Sequence, residues 1–125
     1  MKLAAEPVPA QQAAVITKAT MRAADRLAVR SNVLCKILGL SEATMSRMRK
    51  GEYLLEPGDK AFELAVLFVR FYRSLDAIVG GNDAVAAQWI KNANSGLDGV
   101  PLVLIQTVAG LTNVIDYLDA RRAVV

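Results

Sequence analysis

Between Leu34 and Gly51 two short, apolar-faced segments meet at a single glycine, and this arrangement restricts the possible folds more than anything else in the chain. Leu34, Ile37 and Leu38 fall on one face of a first helix, and Gly39 supplies the positive φ that a Cβ would penalise. Leu40 fills the corner. Ser41 is a favourable N-cap for a second helix, because its hydroxyl can accept from the amides that open it. Met45 and Met48 face inward, which turns Glu42, Ala43, Thr44, Ser46, Arg47, Arg49 and Lys50 outward, and Gly51 ends the helix as its C′ residue. The pattern is that of a helix-turn-helix, whose capped second helix has an outer face able to enter a groove of DNA.

Charge follows the same division. From Lys18 to Lys50 there are eight basic residues against two acidic ones, a net of +6, whereas from Gly51 onward six basic residues face nine acidic ones, a net of −3. A cationic front half suits phosphates, whose neutralisation releases condensed counterions and makes binding salt-sensitive. The expected DNA-binding residues are therefore Ser41, Glu42, Ala43, Thr44, Ser46, Arg47, Arg49 and Lys50. The first four reach base edges, Arg47, Arg49 and Lys50 bind phosphates, and Arg47 is also placed to read a guanine edge.

Helical periodicity continues on both sides of this unit. Pro9 suits the first turn of a helix running to about Val29, with Ile16, Ala19, Thr20, Ala23 and Leu27 on its inner stripe. Pro57 and Gly58 make 52–59 a loop, and Asp59 is placed to cap the next helix, Lys60 to Val79. Leu64, Ala65, Phe68, Phe71, Tyr72, Leu75 and Ile78 form one stripe of that helix, while Val66, Leu67 and Val69 add apolar surface elsewhere around it. So greasy a cylinder needs cover on several sides, which predicts a homodimer with Leu64, Phe68, Phe71, Tyr72 and Leu75 at its interface. Asn82 caps a helix from Asp83 to about Asn94. Leu102, Leu104, Ile105 and Val108 predict a short buried helix after Pro101, with Gly110 interrupting the pattern. Leu111, Val114, Ile115 and Leu118 then mark a last amphipathic helix ending near Arg121. The fold class is all-α, with a boundary expected between residues 1–58 and 59–125.

Several classes of function are excluded by composition. The chain has no histidine and one cysteine, so the commonest general base and metal ligand are missing, and no zinc site or internal disulfide can be assembled. Cys35 reads as a small buried residue against the second helix. Asp116 and Asp119 lie three apart, with nothing else converging on them, and Gly80-Gly81 lacks the strand and lysine of a phosphate loop. No catalytic residue, cofactor or metal is expected. The apolar run from Val100 to Leu111 is too short to span a membrane, and the first residues do not read as a secretory signal, so a soluble cytoplasmic protein is expected.

The rear half then shows a familiar series: Arg70-Phe71-Tyr72-Arg73-Ser74-Leu75, Gly80-Gly81, Trp89-Ile90, Asn94, Leu97, Gly99-Val100-Pro101, the turn around Gly110, and Val114-Ile115-Asp116-Tyr117-Leu118. With the helix-turn-helix before it, this stretch resembles the Xre/MbcA/ParS antitoxins from about Thr17 to Val125. The resemblance implies a bacterial type II antitoxin encoded beside a RES-domain toxin that consumes NAD or transfers ADP-ribose from it. It also implies dimerisation, cover of the toxin's active site by the C-terminal region, and repression of its own operon. Tyr117, Leu118, Arg121, Arg122, Ala123, Val124 and Val125 would then be the toxin-binding residues, a basic-apolar tail entering or rimming the toxin's pocket. A dimer would set two second helices about one duplex turn, ~34 Å, apart, on palindromic half-sites. The competing expectation is a stand-alone repressor whose rear half only dimerises or senses a ligand.

Overall fold

A computed structural model describes residues 9–123, which form seven helices: α1 Pro9–Leu27, α2 Ser31–Leu38, α3 Glu42–Arg49, α4 Lys60–Ile78, α5 Asp83–Lys91, α6 Pro101–Leu104 and α7 Val108–Ala123. Among the described residues no strand occurs, and the only bridge is an isolated pairing of Asn94 with Gly99 that pins the loop before α6. The all-α expectation is met. Among the described residues no helix is long and apolar enough to cross a membrane.

Helix α4 is the axis of the molecule, packing against α1, α2, α5 and α7. Its burial corrects the expectation that it needs a second copy. Leu64 is 7% exposed and Phe68, Phe71 and Leu75 are fully buried, all within a cluster that also takes in Leu27, Leu34, Ile115 and Leu118. The apolar surface on several sides of α4 is covered by several different helices of the same chain. The predicted interface residues are consumed by the core, and Tyr72 alone of the five is half-buried. What remains open on α4 is elsewhere: Val66 and Ile78 are each 41% exposed.

Helix boundaries follow local chemistry. Helix α1 stops at Leu27, two residues short of the expected end, because Ala28 turns to φ +57° and Val29 donates its N–H back to the Ala24 carbonyl. Val29 is thereby buried ahead of α2. Asp59 occupies the N-cap position of α4 without a side-chain cap bond, whereas Asn82 Oδ1 accepts from the Val85 N–H at 3.1 Å, as expected. Helix α5 ends at Lys91, where the expectation had extended it to Asn94; Asn94 instead pairs with Gly99 in the following loop. The loop after α3 carries a core residue that periodicity did not reveal: Leu55 is fully buried, and its N–H donates to Thr17 Oγ1 of α1 at 2.9 Å.

The rear of the chain departs furthest from expectation. Val108 is 55% exposed and opens α7 instead of closing a buried helix, and α7 runs straight through Gly110. Thr107 makes this possible, because its Oγ1 accepts from the Gly110 N–H at 3.0 Å and caps the helix start. Leu104 and Ile105 end the preceding turn directly against it. A Cβ built on Gly110 would lie 1.9 Å from the Leu104 carbonyl oxygen, so this glycine marks a close approach of two backbones, not a break.

Candidate functional site

The front site is α3 and what holds it. Gly39 at φ +72° lets the Leu40 N–H return to the Cys35 carbonyl at 2.9 Å, which closes α2 and points the chain into α3. Ser41 Oγ then accepts from the Thr44 N–H at 3.1 Å, the predicted N-cap. Met45 and Met48 are buried at 1% and 3% exposure and seat α3 on the core cluster that also holds Cys35. Gly51, at φ +77°, ends the unit. Ser41, Glu42, Ala43, Ser46, Arg47, Arg49 and Lys50 are exposed together, and Thr44 is half-buried.

Two of these cations are already engaged within the protein. The Arg47 guanidinium donates to Thr44 Oγ1 at 3.2 Å and stands over the Tyr53 ring, 5.8 Å from its centroid, so it is oriented before anything binds. Arg49 points the other way. Its Nη1 meets Asp25 Oδ1 of α1 at 2.9 Å, and its Nε donates to Ser31 Oγ at the start of α2, also at 2.9 Å. Arg49 therefore ties α3 to both preceding helices. Two of its donor nitrogens, Nε and Nη1, are thereby given to positioning, while Nη2 makes neither of these bonds. The sequence signal for this is Asp25, an acidic residue set among Arg22, Arg26 and Arg30.

The rear site is the C-terminal half of α7. Tyr117, Leu118, Arg121, Arg122 and Ala123 were expected as a tail after the last helix; all five lie within α7, and Val124 and Val125 fall outside the described residues. Leu118 is 1% exposed, so it belongs to the core and offers nothing to a partner. Tyr117 is half-buried and packs under the loop at Gly96, while the Arg121 guanidinium stands 5.1 Å from its ring centroid.

Asp119 has three partners where none was expected. Ser74 Oγ of α4 donates to its Oδ1 at 2.7 Å, Arg70 Nη2 reaches its Oδ2 at 2.7 Å, and Arg122 lies 4.0 Å away while donating to Ser74 Oγ at 3.3 Å. Residues from two helices thus converge on one carboxylate, which spacing along α7 alone could not reveal. The Ser74 hydroxyl, then Arg70, hold the Asp119 carboxyl below the usual carboxylate range. A carboxylate lowered on folding contributes stability above its unfolded-state pKa and loses it as pH falls through the lower folded value. Asp119→Asn should therefore be less stable than the parent at neutral pH, with the two urea midpoints converging as pH falls below about 4. A difference that persists unchanged in acid would remove the ionised carboxylate from this account.

On the other side of α4, Arg26 Nη1 donates to Tyr72 Oη at 3.3 Å, and that hydroxyl lies 3.5 Å from Asp83 Oδ1, linking α1, α4 and α5. Tyr72 thus works inside the protomer. Among the described residues no group of His, Cys, Asp and Glu is arranged to hold a metal ion.

Two family models match the chain in order. The antitoxin Xre-like helix-turn-helix domain covers residues 6–70, and the antitoxin Xre/MbcA/ParS C-terminal toxin-binding domain covers residues 74–123. Both are antitoxin domains and neither belongs to an enzyme family. No curated protein matches the chain.

Proposed function

Because this chain belongs to the Xre/MbcA/ParS antitoxins, we propose that it blocks the active site of a RES-domain toxin that consumes NAD or ADP-ribosylates a target, and that as a homodimer it represses its own operon. One observation carries the reading. A capped α3 with its polar face turned outward stands in the same chain as a segment matched to a toxin-binding domain.

In this reading residues 1–58 serve DNA and residues 59–125 serve the toxin. Ser41, Glu42, Ala43, Thr44 and Ser46 approach base edges, Arg47 takes a guanine or a phosphate, and Lys50 takes a phosphate, while Arg49 sets the angle of α3 from behind. Support for Arg47 comes from its fixed position over Tyr53, since a donor held in place loses less entropy on binding. On the toxin side the accessible surface among the described residues is that of Tyr117, Arg121, Arg122 and Ala123, and the same role is assigned to Val124 and Val125. Cationic and aromatic groups of this kind suit a pocket built for the anionic phosphates of a nucleotide. A homodimer would rest on surface outside the α4 core.

Arg47→Ala should weaken specific operator binding by about 1–3 kcal/mol at fixed salt, as measured by fluorescence anisotropy, if the guanidinium makes a bidentate base contact. An unchanged footprint and affinity would refute that role. The antitoxin function is tested by co-expression with the protein of the adjacent reading frame. Growth should be restored and the two proteins should co-purify, and cells that still die with both proteins present would overturn it.

A further inference from the structure

An open groove of about 740 Å³ runs between α1, α4 and α7, with an apolar floor and a cationic rim. Val15, Ile16 and Val66 form the floor and continue into an adjoining apolar hollow. Val15 is 64% and Val66 41% exposed, a large opening for aliphatic side chains set side by side. Arg70, Arg73 and Arg122 stand on the rim with one carboxylate, Asp119, among them. Asp119 is shared by Arg70 and Arg122, and Arg73 has no ion pair among the described residues, so the rim carries excess positive charge.

Three kinds of occupant can be weighed against this chemistry. A DNA backbone would satisfy the arginines but has no aliphatic surface to lay on Val15 and Val66. A second copy in a two-fold interface would set the same patch against itself, bringing six guanidiniums together around two carboxylates. A polypeptide segment with carboxylates flanking aliphatic side chains satisfies floor and rim at once. Continuity favours the toxin as its source: Ser74, Asp119, Arg122 and Ala123 lie in the segment matched as toxin-binding, and Val15 and Ile16 lie in the segment matched as helix-turn-helix.

We propose that the groove between α1, α4 and α7 is a docking site for an acidic, aliphatic-bearing segment of the toxin, one that extends the toxin-facing surface from Arg122 and Ala123 at the end of α7 across to α1 and α4. This rests on the antitoxin reading. An occupant seated there touches both matched parts of the chain, so toxin binding would bear directly on how α1 and α7 are held about α4.

The test uses the full chain and the tagged protein of the adjacent reading frame, purified from co-expressing cells and measured by biolayer interferometry. Val66→Asp and Arg73→Glu both alter exposed positions, and thermal unfolding checks that each variant is folded. Each should weaken the complex by about tenfold or more. The Arg73→Glu effect should shrink at about 0.5 M salt while the Val66→Asp effect persists. Arg73→Lys should keep most of the affinity, and Leu54→Asp in the loop after α3, altering an exposed apolar residue outside the toxin-binding segment, should bind like the parent. If the parent binds and both groove variants bind equally well, the groove is overturned and the antitoxin reading stands. If the parent itself does not bind, the antitoxin reading fails and this proposal fails with it. Loss of self-association or of duplex affinity, with toxin binding intact, would assign the groove to a second copy or to DNA and overturn the proposal.

Discussion

Replacing Gly110 with alanine is expected to lower the unfolding free energy by about 3 kcal/mol, near the upper end of typical overpacking costs. Helix propensity alone predicts the opposite sign, since alanine inside a helix is favoured over glycine by about 1 kcal/mol. The contest is decided by what the new methyl would meet. Its nearest atoms are the Leu104 carbonyl oxygen at 1.9 Å and the Leu104 carbonyl carbon at 2.8 Å. Both are backbone, so no rotamer change relieves the overlap, and α6 must move off the start of α7. That movement would disturb Ile105, which is fully buried, and the Thr107 cap, whose hydroxyl accepts from the Gly110 N–H at 3.0 Å. For a chain of this length the loss corresponds to a fall in Tm of roughly 10 °C. A variant that melts at or above the parent temperature would show that the backbones of α6 and α7 are not in contact there.

The second large effect concerns Phe68. Phe68→Ala should cost about 3–5 kcal/mol, from lost transfer energy and the cavity left beside Phe71, whose ring centroid lies 6.0 Å away. Against a typical total of about 5–15 kcal/mol, this leaves a variant near the edge of folding. The form of the loss matters as much as its size. Phe68 is fully buried within one chain, so the change in midpoint between parent and variant should be the same at low and high protein concentration. Were Phe68 at a dimer interface, the loss would depend on protein concentration through mass action. Urea unfolding at two concentrations about a hundredfold apart separates the two cases.

Stability and function meet in these helices. The α3 surface is presented by Met45 and Met48 beneath it and by Arg49 behind it, so changes that loosen α1 or α2 should reach DNA binding without touching an outward-facing residue. The rear surface is fixed by the attachment of α7 to α4 through Asp119, Ser74 and Arg70.

Features that depend on near neighbours in the chain were legible in the sequence. Gly39, Ser41, Met45, Met48 and Gly51 all do what their spacing implies, because a helix cap and an inward-facing pair are decided within four or five residues. The same locality made the all-α class and most of the helices readable. The tertiary structure alone decided matters that hang on residues distant in sequence. Arg70 and Asp119 are 49 positions apart and Arg49 and Asp25 are 24 apart, so neither the Asp119 cluster nor the clamp behind α3 leaves a periodic trace. Periodicity showed that α4 is apolar on several sides but could not say whose surface covers it. Four helices of its own chain do, and only their packing could assign Leu64, Phe68, Phe71 and Leu75 to a core. Gly110 makes the same point at atomic scale: in sequence it resembles a helix breaker, and the Leu104 carbonyl pressed against it makes it the residue that lets α7 begin.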